Sequence, residues 1–114
     1  MKQIKPKISS THKVLYYTQS ARECYRLSKE YGNRSAFLVS DYNETEIDGR
    51  YLVDIMNERL LEELTVKQYI NKYEKIPEDI DIIFINSACR EGMNIKDSAV
   101  KTVICEAVDM ITIE

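Results

Sequence analysis

The sequence predicts a three-layer α/β fold, in which a mostly parallel sheet is covered by helices on both faces. Short apolar segments of strand type alternate with segments of helical periodicity along the 114 residues, and this alternation is typical of βαβ units. Residues 82–85 are apolar at every position, as expected for a strand buried on both faces of a parallel sheet. The composition, with 44% hydrophobic and 31% charged residues, is that of an ordinary folded domain.

The predicted elements are, in chain order, an extended lead-in at residues 1–12, a strand at 13–18, a helix at 20–31, a strand at 35–40, an acidic loop at 41–49, a helix at 50–63, a helix at 65–73, a strand at 82–85, a polar loop at 86–95 and a strand at 101–107. Residues 13–114 are therefore predicted to form a single α/β domain.

Helix signals separate the strands. Ser20 followed by Glu23 is a capping-box pattern, and Gly32 with Asn33 ends the helix that it opens. The next helix is predicted from an apolar stripe at helical spacing, formed by Leu52, Ile55, Met56 and Leu60. Thr65 with Gln68 is a second capping box, and the segment that it opens ends before a proline at position 77.

Charge and cysteine content exclude several classes of protein. The formal net charge of −3 provides no general attraction to nucleic acid or to an anionic membrane. The three cysteines contain no C-x-x-C pair, which favours reduced thiols in a cytoplasmic protein over a disulfide scaffold or zinc site. No signal peptide is recognised, and no apolar stretch reaches the roughly 20 residues of a membrane span.

Self-contained catalysis is not expected. The sequence has neither G-x-x-x-x-G-K-[ST] nor G-x-G-x-x-G. The single histidine, His12, is interpreted as a surface or packing residue. Cys89 lies in the polar loop, but a nucleophilic cysteine needs a base, and none is in view, so an oxidoreductase using this thiol is disfavoured.

Two stretches have the character of anion-binding sites. The turn Thr18-Gln19-Ser20 leads from a strand directly into a helix N-terminus, where free backbone amides and the helix dipole favour negative charge. Asn86-Ser87 and Gly92-Met93-Asn94 supply amide, hydroxyl and backbone groups after another strand. Both stretches follow the carboxyl ends of predicted strands, where open α/β sheets bind ligands. The alternative for Ser20 is that its hydroxyl only caps its own helix.

The second stretch carries a resemblance to a known family. The run N-S-A-C-R-E-G-M-N-I at 86–95 resembles motif V of the superfamily 2 helicases, whose usual form is close to T-S-x-A-R-E-G-x-D-I. The run K-V-L-Y-Y-T-Q-S at 13–20, with the helix after it, resembles motif IV. The resemblance spans most of the chain, from about residue 13 onward, and implies the second, C-terminal RecA-like domain of an ATP-dependent helicase or translocase, a P-loop-type fold.

The resemblance also implies roles for individual residues. Thr18, Ser20, Asn86 and Ser87 are expected to contact the nucleic-acid backbone, single- or double-stranded. Gly92 and Asn94 are expected to face an ATP, with Mg²⁺, clamped against the N-terminal RecA-like domain of the same parent chain. Asn86 stands where the family has threonine, and Asn94 where it has aspartate. An asparagine at 94 keeps an acceptor for a ribose hydroxyl but loses the negative charge.

The family's motif VI, Q-x-x-G-R-x-x-R, supplies arginines to phosphoryl transfer and is absent from this sequence. We therefore expect a fragment truncated before motif VI that does not hydrolyse ATP alone. The alternative is a stand-alone Rossmann-like or flavodoxin-like module that binds a small ligand or a protein without catalysis. The two hypotheses differ in geometry, because the helicase interpretation requires Thr18, Ser20, Asn86 and Ser87 to share one edge of the sheet.

Overall fold

The structure is a computed structural model that describes residue 9, residues 11–86, residue 95 and residues 97–105. Within these ranges the elements are β1 (Lys13–Thr18), α1 (Ala21–Tyr31), β2 (Ser35–Leu38), β3 (Glu46–Ile47), β4 (Arg50–Tyr51), α2 (Leu52–Met56), β5 (Leu60–Leu61), β6 (Leu64–Thr65), α3 (Val66–Tyr73), β7 (Ile82–Asn86) and β8 (Val100–Cys105). None of the helices in these ranges is long and apolar enough to cross a membrane.

The centre of the fold is a four-stranded sheet with the strand order β2-β7-β1-β8. Each pairing within it is parallel, which confirms the predicted parallel sheet and its α/β class. All five residues of β7 are buried. Because successive side chains of a strand point to opposite faces, both faces of the sheet are covered at β7.

Helix α1 begins and ends where its sequence predicts. The Ser20 hydroxyl accepts a hydrogen bond from the Glu23 backbone amide at 3.2 Å, which satisfies one of the free donors of the first turn. Gly32 ends the helix at φ +115° and donates its backbone N–H to the Ser28 carbonyl. The helix packs on β2 and β7, with the Tyr25 ring edge-on to Phe37 at 5.4 Å between ring centroids.

The predicted helix at 50–63 is wrong over most of its length. Only Leu52–Met56 is helical, and the chain then forms an antiparallel hairpin of β5 and β6. The Arg59 guanidinium donates to the Ser35 carbonyl at 2.6 Å and to the Asn33 carbonyl at 2.9 Å. These contacts join residues that are far apart in sequence and hold the segment around Arg59 against the start of β2. Leu60, predicted to face inward, is 60% exposed.

The other predicted elements differ less from those of the structure. The loop predicted at 41–49 contains β3, which pairs with β4 in a short hairpin. The strand predicted at 35–40 ends at Leu38. The strand predicted at 101–107 begins at Val100 and is described as far as Cys105; positions 106 and 107 lie outside the described residues. The second capping box is confirmed, because Thr65 and Gln68 each accept a hydrogen bond from the other's backbone amide.

Polar contacts also fasten the sheet at the amino ends of its strands. The Lys13 ammonium is buried and donates to the Pro77 carbonyl at 3.0 Å and the Ile80 carbonyl at 2.6 Å. Burial lowers the pKa of Lys13. The Arg34 guanidinium makes two hydrogen bonds to the Asp81 carboxylate, at 2.7 and 2.8 Å. These contacts join the segment that precedes β7 to the starts of β1 and β2. The candidate site lies at the opposite edge of the sheet, where the strands end.

Candidate functional site

Strands β1 and β7 end side by side. They are adjacent and parallel, and the last residue of each is in register with the other, Thr18 opposite Asn86. The two stretches that sequence analysis selects, separated by most of the domain, thus begin at one point on the carboxyl edge of the sheet. This edge is where open α/β sheets bind their ligands.

The paired residues lie beneath a turn and shape it. Thr18 and Asn86 are 5% and 6% exposed. The Asn86 side-chain amide donates to the Gln19 carbonyl at 3.4 Å, and the Thr18 hydroxyl accepts from the Ser20 backbone amide at 3.5 Å. Gln19 and Ser20 themselves are exposed. The buried pair therefore positions the turn, and the exposed pair presents it to solvent.

Ser20 has a structural task in this turn. Its hydroxyl oxygen caps α1 by accepting from the Glu23 amide, as the alternative interpretation of this residue predicts. A hydroxyl has one donor and two acceptor positions, so the cap leaves the Ser20 O–H able to donate to a ligand. The first-turn amides of α1 and the positive end of its dipole lie at the same place, and both favour an anion.

The remaining predicted site residues lie outside the described residues. These are Ser87, Gly92 and Asn94, together with Cys89. Beyond this gap, the Asp97 carboxylate accepts from the Ile76 amide at 3.1 Å and from the Ala99 amide at 2.9 Å. Asp97 thus joins the segment that enters β8 to the segment that follows α3.

His12 is a packing residue. Its Nε2 lies 3.1 Å from the Thr102 hydroxyl, and it precedes β1, at the other end of the strand from Thr18. It belongs to the contact between β1 and β8 and lies away from the candidate site. Over the described ranges, no group of three or more histidine, cysteine, aspartate and glutamate side chains is placed to bind a metal ion.

Sequence reasoning missed two residues at this edge. The sequence places Gln19 in the turn without assigning it a contact, whereas in the structure Gln19 is exposed and its carbonyl accepts a hydrogen bond from Asn86. Arg22, also exposed, lies in the first turn of α1, and its guanidinium donates to the Glu46 carbonyl at 3.4 Å. The sequence does contain a signal for Arg22. A cation in the first turn of a helix opposes the helix dipole, so an arginine at this position indicates a role other than stabilising the helix.

No family model, curated protein or solved structure matches this chain.

Proposed function

We propose that this chain is the second RecA-like domain of a superfamily 2 DNA or RNA helicase or translocase. In this role it contributes contacts to the nucleic-acid backbone and part of the ATP interface, and does not hydrolyse ATP alone. The observation that carries the proposal is the register pairing of Thr18 with Asn86.

This pairing supports the proposal, because Thr18, Ser20 and Asn86 share one edge of the sheet, as the helicase interpretation requires; Ser87 lies outside the described residues. The stretches that resemble motifs IV and V come from distant parts of the chain, and the helicase interpretation requires them to share an edge. Gln19 and Asn86 are 67 positions apart in sequence, yet the Asn86 amide contacts the Gln19 carbonyl. Location of the two stretches on opposite edges would have contradicted the interpretation.

The exposed groups at this edge suit a phosphodiester backbone. Ser20 offers a hydroxyl donor, Gln19 a side-chain amide, and α1 its first-turn backbone amides. Hydroxyls, amides and helix N-termini are the usual partners of phosphate oxygens and carry no base preference. The proposed contact is therefore to the backbone and independent of base sequence.

The nucleotide half of the proposal depends on the resemblance alone. In it, Gly92 and Asn94 face an ATP whose phosphates and Mg²⁺ are held by the N-terminal RecA-like domain of the parent chain. ATP is accordingly expected to bind only when both domains are present, because the sequence has no phosphate-binding loop.

An NMR titration of the protein with a short single-stranded oligonucleotide tests the nucleic-acid half. It is made first at low salt and then at physiological salt, because contacts to phosphates weaken as counterions compete. We expect salt-sensitive shifts at residues 18–21 and 86–94. A folded protein whose resonances do not move at low salt would contradict the proposal. It would favour the stand-alone Rossmann-like or flavodoxin-like module, for which a metabolite screen is the next step.

A further inference from the structure

A groove runs beside helix α1, starting at the end of the helix that carries the candidate site. It has a volume of about 440 Å³ and is lined by Arg22, Tyr25, Arg26, Lys29, Glu30 and Ile47. The half-buried side chains of Tyr25 and Ile47 give it an apolar part, and the other four lining residues are exposed. Arg22 comes two residues after the Ser20 cap, so the groove adjoins the turn at residues 18–20.

The cations of the groove differ in how far they are neutralised. Arg26 forms ion pairs with Glu23 and with Glu30, so its charge is largely compensated. Arg22 and Lys29 form no ion pair with any carboxylate in the part of the chain that the structure describes. The Arg22 guanidinium donates to the Glu46 carbonyl, and the Lys29 ammonium lies 5.3 Å from the centre of the Tyr25 ring.

Arg22 is unfavourable for the helix that carries it. A cation in the first turn meets the positive end of the helix dipole, which is unfavourable. Its only hydrogen bond in the described structure is a long one of 3.4 Å to a carbonyl. Lys29, in the last turn, is favourable for the helix. Arg22 is therefore the residue whose position helix stability does not explain.

We propose that the nucleic-acid strand held at the turn continues along this groove, where Arg22 and Lys29 contact its backbone phosphates. Seven residues separate the two cations, or about 10 Å along a helix axis, and a strand with repeated phosphates can reach both. The apolar part at Tyr25 and Ile47 accommodates sugar or base between them. This inference rests on the proposed function and extends its site from the turn to one face of α1.

The test measures binding of a fluorescent single-stranded oligonucleotide by anisotropy over a range of salt concentrations. The variants are Arg22→Gln, Lys29→Gln and the double variant, since glutamine removes the charge and keeps a good helix propensity. Matched controls are Lys72→Gln and Lys101→Gln, which remove exposed cations away from the groove. Thermal unfolding establishes that each variant is folded.

The association constant falls with salt, and each lost phosphate contact reduces the magnitude of the slope of log K against log salt by about 0.7 for a single strand. We therefore expect the magnitude of this slope to be smaller by about 1.4 in the double variant, with weaker binding than wild type, and the control variants to keep the wild-type slope. Excess unlabelled oligonucleotide should displace the probe, whereas a polyglutamate peptide should not.

The outcomes separate the two proposals. If the wild-type protein does not bind and residues 18–20 do not shift, the proposed function and the groove both fail. If residues 18–20 shift but the double variant keeps the wild-type slope, or the controls lose as much as it does, only the groove fails. Displacement by polyglutamate as effective as that by oligonucleotide would overturn the groove assignment in favour of an acidic protein partner.

Discussion

Asn86 reaches across from the end of β7 and donates its side-chain amide to the Gln19 carbonyl, at 3.4 Å. Asn86 is itself buried beside Thr18, its register partner on β1. The turn that opens α1 is therefore held by a residue from the strand next to it. The position of the turn therefore depends on both β1 and β7.

Replacing Asn86 with alanine should disturb the turn. The change removes the donor to the Gln19 carbonyl and leaves a cavity in a buried position, so we expect the free energy of unfolding to fall by about 1–3 kcal/mol. Urea denaturation measures this loss, and NMR should show shifts at Gln19 and Ser20. Asn71, exposed on α3, is the matched control. An Asn86→Ala protein as stable as Asn71→Ala would show that the amide contact does not hold the turn.

Substitutions of Ser20 should separate its capping role from its proposed ligand contact. Ser20→Ala removes the acceptor for the Glu23 amide and should cost about 1 kcal/mol of stability. Ser20→Asp retains a good cap, so stability should stay within about 0.5 kcal/mol of wild type. Its carboxylate should repel phosphate and weaken oligonucleotide binding. Unchanged affinity in Ser20→Asp would place the bound strand away from this turn.

The Arg34–Asp81 pair should make stability depend on pH. Hydrogen bonds from the Arg34 guanidinium lower the pKa of Asp81 below its ordinary value of 3.8. A carboxyl whose pKa is depressed on folding stabilises the protein above its unfolded-state pKa, and this contribution is lost as pH falls through the folded-state pKa. Asp81→Asn should therefore lower the free energy of unfolding at pH 7.

Because the Arg34 side chain is 49% exposed, solvent screening limits the expected loss at pH 7 to about 1 kcal/mol. The difference between wild type and Asp81→Asn should shrink as the pH falls below 3.8. Urea denaturation at pH 7 and at acidic pH measures it. Glu30→Gln, which breaks a pair exposed on both sides, is the control and should change stability by less than about 0.5 kcal/mol. A constant Asp81→Asn difference across the acidic range would contradict the assignment.

Gly32 should tolerate substitution less well than Gly49. Gly32 has φ +115° and ψ −161°, in a region of backbone conformation that is essentially restricted to glycine. We expect Gly32→Ala to lose about 1–3 kcal/mol of stability through strain. Gly49, at φ +82° in the hairpin turn, should lose about 1 kcal/mol on substitution by alanine. Thermal unfolding of the two variants compares them, and equal losses would argue against strain specific to Gly32.

Elements governed by neighbouring residues were predictable from the sequence. The caps at Ser20 and Thr65 depend on a residue three positions away, and both are present in the structure. The buried strand β7 was recognisable because each of its first four residues is apolar. Periodicity failed at 50–63, where the contacts of Arg59 with the Asn33 and Ser35 carbonyls outweigh helical propensity. Such contacts join parts of the chain that a local pattern does not connect.

The sequence by itself determined that strands alternate with helices, that the sheet is parallel, and that Thr18 and Asn86 lie at the carboxyl ends of strands. These properties follow from side-chain periodicity and from capping, which act over a few residues. Only the tertiary structure decided the strand order β2-β7-β1-β8. It also decided that Asn86 contacts Gln19 and that Ile47 lines a groove together with residues of α1. The physical reason is that strand neighbours are selected by the packing of the whole sheet, and a strand's own residues do not specify which strand lies beside it.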